Sequence, residues 1–160
     1  MVEVSCENEL DYVDKANIKH LILSNNIKTI KDEEFLECML LKTIQISDSV
    51  TYIGNRAFNF CHALHNIIIP DSVTNIGGGV FYNCVTLKSI TLPNTLKELK
   101  AHLVLCDDGS VCEVRGFFYG CNALEHIKLP DNLITLEDCT FSDCYSLKDI
   151  VLPDTLETIG

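Results

Sequence analysis

Cys61, His62 and His65 lie within one short stretch, "FNFCHALHNIIIPDSVTNIG", Phe58 to Gly77. A thiolate and two imidazoles so spaced could hold a zinc ion or support nucleophilic catalysis. One period downstream, "FYNCVTLKSITLPNTLKELK" keeps the Phe, Cys, Leu, Ile and Pro and replaces both histidines. What recurs is scaffold, and Cys61 belongs to it. Cys38, Cys61, Cys84, Cys121 and Cys144 occupy one column of this pattern. Zinc needs ligands converging on a point, whereas a repeat column projects its side chains in parallel. Bridges along the column fit poorly, because Cβ atoms about 3.8 Å apart are required and stacked strands are spaced more widely. The column is expected to be small buried thiols filling a narrow layer beside the Phe column. Nine cysteines are an odd number, so at least one thiol stays free, and Cys6 and Cys139 have no place in the repeat.

His20 and His126 share a column in which other units carry Thr43, Asn66, Ser89 and Asp149, the signature of a variable polar face. No Ser/His/Asp or Cys/His arrangement can be gathered into one pocket from this spacing, so no catalytic residue, metal or cofactor is expected.

The other reactive-looking stretch is "LVLCDDGSVCEV", within Lys100 to Gly116. β-favouring residues flank an Asp-Gly turn signal, which predicts a hairpin with the loop Asp108-Gly109-Ser110. Cys106 and Cys112 then oppose each other, as a disulfide in an oxidising compartment or as two thiols otherwise. Asp107-Asp108-Gly109 lacks the alternating Asp of a calcium loop. The insertion is either a tolerated excursion or a partner contact, with Asp107 and Asp108 at its tip.

These stretches sit in a repeat. Ile18, Leu41, Leu64, Leu87, Leu124 and Leu147 recur at intervals of 23, 23, 23, 37 and 23, one interval being longer by 14 residues. Columns headed by Leu21, Leu23, Ile27, Ile30, Phe35 and Cys38 follow in step, giving six units, the last cut short at Gly160. A repeat with apolar columns separated by polar positions cannot bury its face alone, so neighbouring coils must stack into a solenoid. The "I-x-[IL]" pair alternates as a short strand, and the following Pro ends it. Stacked strands form a parallel sheet, one per coil. Segments such as "IGNRAF" read as a tight turn into a helical or 3₁₀ turn carrying Phe and Cys inward.

The recurring pattern, seen in "CHALHNIIIPDSVTNIGGGVFYNC" and "CNALEHIKLPDNLITLEDCTFSDC", resembles the BspA-like class of leucine-rich repeats over residues 15 to 160. The resemblance implies a curved, mostly β leucine-rich-repeat solenoid with a strand-lined concave face. It also implies use in adhesion or other protein–protein contacts, often at the cell surface, and no catalytic activity. Ser24 and Ser47 in place of Pro, Lys15 in place of the first Cys, and the insertion depart from the pattern.

A net charge of −11 without a basic stripe disfavours nucleic acid as a partner. No apolar run reaches membrane-spanning length. "MVEVSCENELDYVDKANIKH" has no signal-peptide pattern, an expectation of a cytoplasmic chain if Met1 is the native start, against the surface placement that the resemblance implies.

The reading is therefore one domain, residues 1–160, with a hairpin insertion at about 100–116 and an uncapped C-terminal end or a longer parent chain. Its expected activity is protein binding by a non-catalytic module. Ile22, Gln45, Ile68, Thr91, Lys128 and Val151 point outward from the strands and are candidate contact residues together with Asp107 and Asp108. End-to-end self-association through the uncapped coils is the alternative.

Overall fold

The computed structural model describes residues 1–4 and 7–160; Cys6 lies outside the described residues. The chain winds into stacked coils, each contributing a strand to one row: Val2–Val4, His20–Leu23, Thr43–Gln45, Asn66–Ile68, Ser89–Thr91, His126–Lys128 and Asp149–Val151. Neighbours pair in parallel at the repeat offset, as in Leu21↔Ile44, Ile67↔Ile90 and Ile127↔Ile150. The burial pattern exposed–buried–exposed recurs in Thr43–Gln45, Asn66–Ile68, Ser89–Thr91 and His126–Lys128. This places the predicted inward residues in the core and their neighbours in solvent.

Two elements go beyond the sequence reading. Val2–Val4 pairs with His20–Leu23 as an extra first strand, and with Leu10 of the one-turn helix Glu7–Leu10 it buries Val4 over the first coil. A second row of two-residue strands, Thr29–Ile30, Tyr52–Ile53, Asn75–Ile76, Glu98–Leu99, Thr135–Leu136 and Thr158–Ile159, ends on the column headed by Ile30, for which no strand was expected. Each of the first five sends one apolar residue inward, too short a run to register as alternation.

On the side carrying Phe and Cys, i→i−3 hydrogen bonds of the expected 3₁₀ type do form, for example Asn59 N to Arg56 O at 3.1 Å. They never extend into a helix, because left-handed residues interrupt each coil. Glu33, Arg56, Gly79 and Cys139 have positive φ two positions before the Phe, and Glu37, Phe60, Asn83, Gly120 and Asp143 two positions after it. Every second amide here points to the next coil, while Glu34 N and Leu36 N bond back to Lys31 O and Glu33 O of their own. Glu33, Phe35 and Glu37 accordingly donate to the carbonyls of Asn55, Ala57 and Asn59 in the next coil at 2.9, 2.8 and 2.9 Å. Arg56, Phe58 and Phe60 repeat this onto Gly78, Val80 and Tyr82. These bonds satisfy backbone groups that burial would otherwise leave unpaired.

Inside, Phe35, Phe58, Phe81, Phe118 and Phe141 form one continuous stack, with ring centroids 5.3, 5.5, 5.8 and 5.6 Å apart. Beside it, each repeat thiol from the second onward donates to the Phe carbonyl one coil back: Cys61 to Phe35 at 3.2 Å, Cys84 to Phe58 at 3.1 Å, Cys121 to Phe81 at 3.2 Å and Cys144 to Phe118 at 3.1 Å. The thiol column is thus both filler and cross-coil donor.

Burial pushes the Cys61, Cys84 and Cys121 thiols well up, and Cys38 and Cys144 to about 11. Folding holds these groups protonated while the unfolded chain loses its thiol protons near 9.0. The stabilisation is complete below that pH and fades as pH rises toward about 11. Urea midpoints are therefore expected to fall between pH 9 and 11 more steeply for the wild type than for a Cys61→Val/Cys84→Val variant. Parallel curves would remove the thiols from the account.

Candidate functional site

The outward residues of the strand row form the first candidate surface. Ile22 is half-buried; Gln45, Ile68, Thr91, Lys128 and Val151 are exposed, Ile68 by 67% and Val151 by 73%. Strand pairing sets Ile22 beside Gln45, Ile68 beside Thr91 and Lys128 beside Val151. Ladder pairing along the row is interrupted twice, however. Thr43–Gln45 and Asn66–Ile68 belong to separate ladders, as do Ser89–Thr91 and His126–Lys128. At the first break a groove of about 640 Å³ opens, with Ile68 and Pro70 as apolar walls and Gln45, Asp48, Asn66 and Asp71 as polar ones. The sequence places these residues on one face but does not reveal the break.

Lys128 reaches Asp131 at 3.1 Å, and Lys148 reaches Glu125 at 2.6 Å, so the cations at this end are paired on the surface. The histidines are dispersed: His20 meets Thr43 Oγ1 at 2.9 Å, His65 meets the Ala63 carbonyl at 2.6 Å, and His126 lies 3.6 Å from Asp149. His65 and His62 do not join Cys61, whose thiol points to the Phe35 carbonyl. No group of three or more His, Cys, Asp or Glu able to hold a metal ion occurs among the described residues. The deeply buried thiols, held neutral, supply no thiolate nucleophile.

The insertion is the second candidate. Its arms are His102–Leu105 and Val111–Arg115, antiparallel, with Leu103↔Val114 and Leu105↔Val111 in register. The expected loop is displaced by one residue. Cys106 N donates to Ser110 O and Gly109 N to Cys106 O, so Asp107, Asp108 and Gly109 form the loop, with Gly109 in the left-handed region. This is a turn closed by a left-handed Gly rather than a two-residue turn centred on Asp-Gly. The register shift between Val104 and Leu105 leaves Cys112 as the extra residue, and it is bridged to Cys106 with Cα atoms 5.4 Å apart. Of the alternatives left open by the sequence, the structure has the disulfide.

Asp107 and Asp108 are exposed at the tip. Asp108 accepts from Ser110 N and Oγ at 2.9 and 2.6 Å, and these bonds hold its carboxyl below the usual carboxylate range. It closes the turn, leaving Asp107 as the outward carboxylate. At the base, Tyr82 donates to Glu113 at 2.6 Å while Arg115 pairs with Glu113 at 3.0 Å and lies over the Tyr82 ring. Burial and the bond to Glu113 raise the Tyr82 phenol to about 12, so it remains a donor at neutral pH. Sequence reasoning missed this clasp, because Tyr82 and the hairpin are brought together only by stacking. It also missed the exposed Leu103, Leu105 and Val111, although their alternation was legible.

Comparison with known proteins gives a consistent picture. A family model described as BspA type leucine-rich repeat region matches residues 11–105 and 114–160 in six copies. A leucine-rich repeat protein from Bacteroides ovatus ATCC 8483 superimposes with a TM-score of 0.76 and 28% identity over 89% of this chain and 36% of that one. The T. pallidum leucine-rich repeat protein gives 0.76 and 25% identity over 100% of this chain and 67% of that one. The chain thus spans about a third of the first relative's length. Among curated proteins, none matches.

Proposed function

The chain belongs to the BspA-type leucine-rich-repeat family, and from that premise we propose that it is a non-catalytic protein-binding module whose contact surface is the outward strand row. The observation that carries this reading is the groove between Gln45 and Ile68, an exposed aliphatic centre with a polar rim on a rigid sheet. Such a patch suits a protein surface, where a few desolvated apolar anchors dominate affinity. Adhesion outside the cell is part of the proposal. The Cys106–Cys112 bridge supports it, since disulfides persist in oxidising compartments.

Ile68→Asp combined with Lys128→Glu is expected to reduce capture of the native partner from host extracts at least tenfold, with an unchanged circular dichroism melt. Both side chains are solvent-facing, so folding does not depend on them. Retrieval of the same partners in the same yield would show that this face is the wrong one.

End-to-end self-association is the second reading. Sedimentation over a concentration series separates the two, a monomer throughout excluding it.

A further inference from the structure

Residues 106–113, the stretch between the two spans matched by the repeat family, form the distal part of the bridged hairpin. Residues directly opposite in an antiparallel pair share a face, as do residues two apart on one arm. Leu103 and Leu105 on one arm, opposite Val114 and Val111 on the other, therefore make a single apolar face. Leu103, Leu105 and Val111 are 53%, 61% and 51% exposed. The opposite face, carrying Glu113 and Arg115, is half-buried and clasped to Tyr82. The hairpin is held down by its polar side and presents its apolar side to solvent. A two-stranded hairpin is marginal by itself, and the bridge and the Tyr82 clasp compensate for a missing third layer.

The charges around that face are one-sided. Arg115 is paired with Glu113 and Lys100 with Glu98. Asp107 and Asp108 at the tip, and Asp138 beside a groove of about 320 Å³ that Leu103 and Leu136 share at the base, have no ion pair among the described residues. An occupant must bring aliphatic side chains to the centre and cations to both ends. A second copy would oppose the same carboxylates, and an anionic membrane would be repelled by them.

We propose that the outward face of the bridged hairpin is a second docking surface, separate from the strand row, for an extended protein segment whose aliphatic side chains are flanked by Lys or Arg. Two labelled seven-residue peptides test it by fluorescence anisotropy, one alternating Lys with Leu and Val, the other Glu with the same aliphatics. The Lys peptide is expected to bind the wild-type chain at least tenfold more tightly than the Glu peptide. Leu105→Ser with Val111→Ser, which changes no charge, is expected to weaken it at least tenfold with an unaltered melt. Asp107→Asn with Asp138→Asn is expected to weaken it about threefold and flatten its salt dependence. Ile68→Asp is expected to leave it unchanged, so failure of the strand-row reading and failure of this one are distinguishable. Equal binding of the two peptides, indifference to the Leu105/Val111 change, loss on Ile68→Asp alone, or preferential binding of phosphatidylglycerol vesicles would each overturn the proposal.

Discussion

Phe81→Ala is expected to destabilise the fold by roughly 3–5 kcal/mol, the range for removing a fully buried aromatic side chain, measured as the shift in urea midpoint at constant slope. Phe81 has no solvent exposure and stacks on Phe58 at 5.5 Å and on Phe118 at 5.8 Å, with Phe117 edge-on at 5.7 Å. Truncation therefore removes contacts on both sides of one coil. In a stacked array each coil is stabilised by its neighbours, so a weakened interface also uncouples the segments on either side. Unfolding is expected to broaden or split into two transitions. A single sharp transition shifted by less than about 1 kcal/mol would mean that the ring column is not what couples the coils.

Gly116→Val follows, with an expected cost of roughly 3 kcal/mol or more, at the upper end for overpacking. Gly116 is where the chain returns from the hairpin to the stack. A Cβ there would lie against the backbone carbonyl of Cys139, so relief requires moving a neighbouring coil rather than a flexible side chain. The displacement would pull on Phe117 and Phe118, whose amide and carbonyl join the flanking coils through Phe81 N to Phe117 O at 3.0 Å and Phe118 N to Thr140 O at 2.9 Å. Gly109→Ala is the control. Its Cβ would meet nothing within 4 Å, although φ is +81°, so only left-handed strain opposes it, on the order of 1 kcal/mol. Equal melting temperatures for the two variants would refute the close-approach argument.

The contrast between these glycines marks what can be read in the letters. Leu64, Ile67, Ile69, Phe58 and Cys61 were legible as core because burial imposes the same demand on every coil and the demand recurs at a fixed offset. The left-handed positions were not legible: Glu33, Arg56, Gly79 and Cys139 share a backbone state but no side-chain chemistry. At Glu33, Arg56 and Gly79 that state accompanies an amide bond to the next coil, which a propensity-based reading does not contain. Cross-coil features were invisible for the same reason, among them the thiol donors to Phe carbonyls, the clasp of Tyr82 on Glu113, and the break between Gln45 and Ile68. The one-residue displacement of the hairpin loop has a local cause, since Gly109 closes a preceding turn instead of sitting at its centre. The strand conformation of Val2–Val4 was not legible, because three residues outside the repeat carry no periodic signal. For the candidate surfaces, orientation was readable from alternation, whereas depth and continuity depend on how two coils splay.

The amide bonds on the Phe side all run one way, from each coil to the one after it. On that side the stack consequently has a head and a tail that are not interchangeable, one end offering hydrogens and the other oxygens. Two such pieces can be spliced nose to tail but never back to back. Lengthening or shortening by whole 23-residue steps preserves every bond, whereas an addition of any other size must, like the hairpin, be looped out sideways.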